Sequence, residues 1–295
     1  MNINRTRFAT QTRTWVIIAG LGALFVALGG LVGGSNGIIL FAGIAVLFNL
    51  AMFWFSASLA LKTSRARPVE QSEAPELYRD VEEIASRAGV PMPKLYLIPS
   101  EQPNAFATGR NPKNAVVAVT EGLLRYLPRD QVKGVLAHEV AHIANRDILV
   151  MTIAAMIGAA ISAIANILQF SMLFGGGDDE EGGSPLAIVG MLAAIIVAPM
   201  AAMILQLAVS RQREYLADAT AASYLGEGRP LAEALGTLQR GVEAVPMNVN
   251  PATEPLYIAN PLSGRGMSAL FSTHPPMEER IRRLRALDSA SGIHY

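Results

Sequence analysis

The sequence predicts a mainly α membrane protein: four transmembrane helices in two hairpins, with a cytoplasmic α+β domain made of a small sheet and several helices. Three observations predict it. Apolar residues make up 51% of the 295 and charged ones only 16%. Four long apolar stretches reach the roughly 20 residues needed to cross a bilayer core about 30 Å thick at 1.5 Å per residue. Lysines and arginines flank those stretches on one side only. The formal charge is zero, so no basic surplus points to nucleic acid as a partner. Cysteine is absent, which removes disulfides, thiolate nucleophiles and thiolate-bound metal together and leaves His and carboxylates as metal donors.

The first hairpin pairs residues 14–32 with 38–61 across GGSNG, and the second pairs 148–174 with 185–209 across GGGDDEEGGS. The first run is longer than a signal-peptide core and no A-x-A-like site follows it, so it reads as a retained anchor. Arg5, Arg7 and Arg13 precede the first span; Lys62, Arg65 and Arg67 follow the second; Arg211 and Arg213 follow the fourth, while neither hairpin loop contains a basic residue. The positive-inside rule then puts both termini and segment 62–147 in the cytoplasm. The chain divides accordingly into a tail and first hairpin (1–61), a first polar part (62–147), a second hairpin (148–210) and a second polar part (211–295), the two polar parts forming one domain across the second hairpin.

Within 62–147, EAPELYRDVEEIASRAGV predicts a helix. Pro75 lies near its start, Leu77, Val81, Ile84 and Ala88 recur at helical spacing, and Gly89 stops it. KLYLIP and AVVAV are short β-branched or aromatic runs bounded by Pro, Asn and Gly, and predict strands. PNAFATG between them predicts an exposed, edge-like strand with one polar face, from Asn104 and Thr108. A further helix covers about 128–145. Segment 211–295 is expected to be mainly helical, with a polar loop near 245–266.

That helix carries HEVAH. Residues i and i+4 share a helix face, so His138 and His142 can present two imidazoles to one ion, while Glu139, about 100° around, can reach a water on that ion as general base. Two other readings are a chance pair of surface histidines and a structural metal. The second would need four protein ligands, which is uncommon without cysteine. The next turns have Asn145 and Ile148 where a longer three-histidine motif would need Gly and His, and Asp147 points off the metal face if the helix runs on uninterrupted. In the second polar part SRQREYLADA places Glu214 and Asp218 on one helix face, and the returning hairpin brings Glu214 to the membrane height of the histidines. Glu214 is thus the expected third metal ligand and Asp218 an acceptor for a ligand imidazole; the alternative is ion pairing with Arg211 and Arg213 on an exposed helix.

NAFATG, AVTEGLL, HEVAHIANRD, SRQREYLADA and LFSTHPPMEERI occur in the order and spacing of the HtpX family of membrane-bound zinc metalloproteases, distant relatives of the type I CaaX prenyl proteases, and the chain resembles that family over most of its length. The resemblance implies a zincin-like metalloprotease domain, one Zn2+ per chain held by His138, His142 and Glu214, Glu139 as catalytic base and Asp218 beside the site. It also implies cleavage of misfolded or damaged proteins of the bacterial inner membrane from the cytoplasmic side, in functional partnership with the FtsH protease. Asn104, Ala105, Phe106 and Ala107 could bind an extended substrate as an added strand or be ordinary core. His274, six residues before Arg280 as in the prenyl protease relatives, would either hydrogen-bond the oxyanion or fix the turn before the last helix. The spans contain no charged residue, which argues against a transporter. An adaptor with a vestigial metal site would not need the intact HEVAH. A prenyl-protein protease is the nearest alternative enzyme, disfavoured by having only four spans.

Overall fold

The computed structural model describes residues 53–149, 151–153, 211–245, 256–261 and 275–290, with isolated positions between 26 and 51 and at 247 and 249. Of the expected spans, 14–32, 148–174 and 185–209 lie almost wholly outside the described residues. Among the described residues no helix is long and apolar enough to cross a membrane. The described positions of the span at 38–61 are helical, and Ile39, Leu47, Trp54 and Phe55 stand among its exposed apolar side chains.

The described residues of the polar parts form ten strands and α-helices, with a 3-10 turn at Pro112–Asn114 besides. In chain order they are β1 (Arg67–Pro68), α1 (Pro75–Ala88), β2 (Lys94–Ile98), β3 (Ala105–Gly109), β4 (Ala115–Thr120), α2 (Glu121–Tyr126), α3 (Arg129–Asn145), α4 (Arg211–Leu225), α5 (Arg229–Ala244) and α6 (Met277–Ala290). The expected helix at α1 begins on Pro75 and ends where Gly89 turns left-handed at φ 64°, its N–H and that of Val90 closing on the last turn, a glycine stop.

The sheet runs β1-β2-β4-β3, with β2 and β4 parallel and β3 antiparallel to β4. Both faces are covered. Side chains alternate along a strand, so Leu95, Ala105, Ala107, Val117 and Val119 pack against α1 and α3, while Ile98, Phe106, Val116 and Ala118 pack against Ala60, Leu61, Met151, Leu256 and Tyr257. Two-sided burial explains why AVVAVT reads as a continuous apolar run.

The main core joins the two polar parts: Val135, Leu136, Val140 and Ile143 of α3 share it with Ala221 of α4 and with Leu231, Leu235 and Leu238 of α5. Because α3 is enclosed by the sheet, α1, α4 and α5, it is buried nearly all round, which a helix carrying polar motif residues can tolerate only if those residues find partners. Gly134 allows α5 to approach closely. A Cβ there would stand 2.7 Å from the Leu231 nitrogen and 2.8 Å from the Pro230 carbonyl carbon.

PNAFATG does form the end strand of the sheet, but it is not exposed. All of β3 is buried, since helix α3 covers one face and residues 256–259 run along its outer side. The polar groups expected to face water are satisfied inside. Thr108 Oγ1 meets Thr152 Oγ1 at 2.9 Å, and the Thr120 hydroxyl accepts from Asn104 N–H at 2.9 Å while capping α2 through Leu123 N–H.

Candidate metal and catalytic site

His138, His142 and Glu214 converge. Their ligand atoms lie within 4.8 Å of one another and all three residues are buried. The Nε2 atoms of the two histidines are 3.1 Å apart, and the Glu214 carboxylate reaches His142 Nε2 at 3.5 Å and His138 Nε2 at 3.6 Å. Ligands tetrahedrally bound at about 2.0–2.1 Å stand about 3.3–3.4 Å apart, so the triangle has the size that a small divalent ion requires.

The donor chemistry fits as well. Asp218 Oδ1 lies 3.0 Å from His138 Nδ1 and Asp147 Oδ2 lies 3.3 Å from His142 Nδ1. With a cation in the triangle, each carboxylate would hold the proton on Nδ1 and leave Nε2 to the ion. Two lone pairs and a carboxylate facing one point repel each other unless a cation stands between them.

Asp218 lies one turn beyond Glu214 on the same helix, against His138. Asp147 does more than expected. As expected, α3 ends at Asn145; Arg146 adopts the left-handed conformation at φ 62°, and Asp147 N–H folds back onto the His142 carbonyl at 3.0 Å. That turn brings Asp147 beneath the imidazole. Asp147 is not among the converging ligand atoms; what no glycine announces is the left-handed turn at Arg146 that swings its carboxylate to His142.

Glu139 is buried beside this triangle at 2% exposure. Burial first, and then the Glu214 charge, push its carboxyl up to about 7, against the opposing pull of His142 and of the Ala107 N–H that donates to it. The imidazoles diverge. Burial together with the positive charges of His142 and Arg280 lowers His138, whereas for His142 the lowering by burial is overcome by Asp147 and Glu214.

Arg280 is fully buried. Its Nε and one terminal nitrogen donate to the two oxygens of Asp218 at 2.9 and 2.8 Å, the other terminal nitrogen lies 3.4 Å from Glu214 and 3.2 Å from the Ile258 carbonyl it donates to, and the first terminal nitrogen lies 3.4 Å from each ring nitrogen of His138. Burial disfavours its charge, but Asp218 and Glu214 more than offset that, so its affinity for the proton is raised. A fixed cation therefore balances the acids of the site.

Asn104 and Ala105 lie on the outer side of β3 and are bonded to residues 258 and 259, while Phe106 faces the opposite layer against Tyr257. His274 lies outside the described residues.

Comparison with known proteins follows the same outline. The sequence pattern described as peptidase family M48 matches residues 71–288. A Protease HtpX homolog of Pelotomaculum thermopropionicum is 52% identical over 275 residues, covering 93% of this chain and 98% of that protein. Another from Pyrococcus furiosus is 49% identical over 285 residues, covering 96% and 98%. Among solved structures, S. mikatae Ste24p is similar in fold with a TM-score of 0.50 at 22% identity, over 95% of this chain and 66% of that longer one.

Proposed function

The chain belongs to peptidase family M48 and is a metalloprotease, and on that premise we propose that it is a zinc endopeptidase of the bacterial inner membrane that cuts misfolded or damaged membrane proteins from the cytoplasmic side. The observation that carries this reading is the meeting of His138, His142 and Glu214 at 3.1 to 3.6 Å with a buried carboxyl, Glu139, beside them. These three residues would hold Zn2+, with Asp218 and Asp147 positioning the imidazoles and Arg280 balancing charge. Zinc there supplies Lewis acidity toward a peptide carbonyl and acidifies a water molecule.

Glu139 takes the proton of the attacking water and passes it to the leaving amine. Burial raises the affinity of this carboxyl for a proton, and a cation in the triangle would oppose that rise, so the group can both accept and release a proton. The Ala107 N–H keeps the carboxylate aimed at the triangle. Asn104, Ala105, Phe106 and Ala107 would hold the substrate as an added strand along β3. His274 would either donate to the oxyanion or fix the turn before α6.

The membrane reading rests on the four apolar stretches, the one-sided basic residues, and the exposed apolar side chains between 38 and 59, a face that lipid would cover. With both termini cytoplasmic, 62–147 and 211–295 become one catalytic domain assembled across the second hairpin, and the shared core of α3, α4 and α5 supports that assembly. Such an enzyme would work in quality control under stress, beside the FtsH protease. The decisive test is purification in detergent with chelator, followed by zinc addition to wild type and Glu139→Gln in the presence of casein. Zinc-dependent cleavage by wild type alone is expected; equal cleavage by the variant, or cleavage without zinc, refutes the reading.

A further inference from the structure

Residues 256–261 are a described island within the polar loop between α5 and α6, and they lie along the outer side of β3. Their backbone is bonded there at successive positions. Ile258 N–H donates to the Ala105 carbonyl at 3.0 Å, and the Ile258 carbonyl accepts from Arg280 at 3.2 Å. Asn104 clamps the next residue, its Nδ2 donating to the Ala259 carbonyl at 2.8 Å and its Oδ1 accepting from Ala259 N–H at 3.3 Å. Side chains add to the hold. The Tyr257 ring stands edge-on to Phe106 with centroids 5.2 Å apart, its hydroxyl meets Ser64 Oγ at 3.1 Å, and Ile258 is 2% exposed.

The location matters because of what lies two residues along the same edge. Among the described residues β3 pairs with β4 on one side only, and the Ala107 N–H that faces away from β4 reaches Glu139. An extended peptide brought to Glu139 as an added strand needs the outward groups of this edge. The Ala105 carbonyl and the Asn104 amide are already engaged. The groups that occupy them come from one short, bent piece of the chain, which takes the Ala105 carbonyl through the Ile258 N–H and the Asn104 side chain through both backbone groups of Ala259.

We propose that residues 257–259 are an internal occupant of the substrate edge, lying where the backbone of an extended peptide would lie and leaving before one can dock. The inference rests on the peptidase reading above. Being tethered, the segment competes at an effective concentration that a free peptide must exceed, so the resting enzyme is partly latent and selects chains unfolded enough to present a long extended stretch.

The test uses the full-length, zinc-loaded protein in detergent and a quenched fluorogenic ten-residue peptide without structure. Ile258→Pro removes the N–H that bonds Ala105, and Ser64→Ala removes only the Tyr257 anchor. Loss of one hydrogen bond, about 0.5–1.5 kcal/mol, corresponds to a fall in KM of roughly 2- to 10-fold, with kcat little changed. Amide exchange on Glu139→Gln should also show the protection of Ile258 and Ala259 lost when the peptide saturates the enzyme. If Ile258→Pro does not fold, Ser64→Ala and the exchange measurement decide. Wild-type cleavage with KM unmoved in the folded variants, or protection that persists at saturation, makes the segment a fixed wall of the site and overturns the inference alone. No zinc-dependent cleavage by wild type overturns the peptidase reading and this inference with it.

Discussion

Replacing Asp218 by Asn tests the coupling between the metal site and its buried cation. The amide keeps the shape and can still accept from His138 Nδ1, but it loses the charge held by Arg280 through two bonds of 2.8 and 2.9 Å. Arg280 then remains fully buried with Glu214 at 3.4 Å and one carbonyl. Removing one partner of such a pair costs about 3–5 kcal/mol, and at about 2–4 °C per kcal/mol for a domain of this size the melting temperature should fall by about 6–20 °C. Loss of a firm acceptor behind His138 should weaken zinc binding roughly 10- to 100-fold. The control is Asp147→Asn, which loosens His142 without touching Arg280. It should weaken zinc to a similar degree yet cost only about 0.5–1.5 kcal/mol of stability. Thermal unfolding of the chelated proteins by circular dichroism, beside competition for zinc with a calibrated chelator, separates the two effects. If Asp218→Asn melts with wild type or with Asp147→Asn, the proposed role of Arg280 as a buried cation that depends on Asp218 is wrong.

The same pair makes a prediction about acid. Burial raises Asp218, but Arg280 and then His138 pull it below the usual carboxylate range, so its stabilising contribution is complete above the unfolded value near about 4 and is lost as pH falls through the lower folded value. The melting difference between wild type and Asp218→Asn in chelator should therefore persist from neutral pH to about 5 and shrink in stronger acid; a difference that grows on acidification contradicts it. Gly134→Ala puts a methyl against the backbone of residues 230 and 231, and forcing α3 and α5 apart should cost about 1–3 kcal/mol, read as a lower melting temperature. An unchanged melt would mean that the two helices tolerate separation.

Much of this was legible in the sequence because it is local. Pro75, the apolar spacing and Gly89 write α1 in full, HEVAH carries its own geometry on a helix, and Glu214 with Asp218 needs the i, i+4 rule and the return of the second hairpin. What was hidden depends on distant chain. NAFATG has the composition of a half-exposed edge, and nothing within it reveals that residues 256–259 will lie against it. Asp147 is no metal ligand, as expected, but its contact with His142 depends on a left-handed Arg146 that no glycine announces. In EERIRRLRAL four arginines stand within six residues, yet Arg280 is fully buried while Arg282, Arg283 and Arg285 remain exposed. Its place six residues after His274 singles it out by resemblance, but its burial against Asp218 on another helix cannot be read from the sequence.

The order in which the parts of the site are synthesised has its own consequence. His142 and Glu214 are 72 residues apart (214 minus 142), and closing a loop of that length costs roughly 4 kcal/mol in chain entropy. Arg280 comes later still, on the last described helix. A nascent chain that has made α3 and α4 but not α6 carries Glu139, Glu214 and Asp218 in a core without the cation that balances them, so their burial is opposed until α6 arrives. Assembly of the site is thereby deferred until α6 has been made.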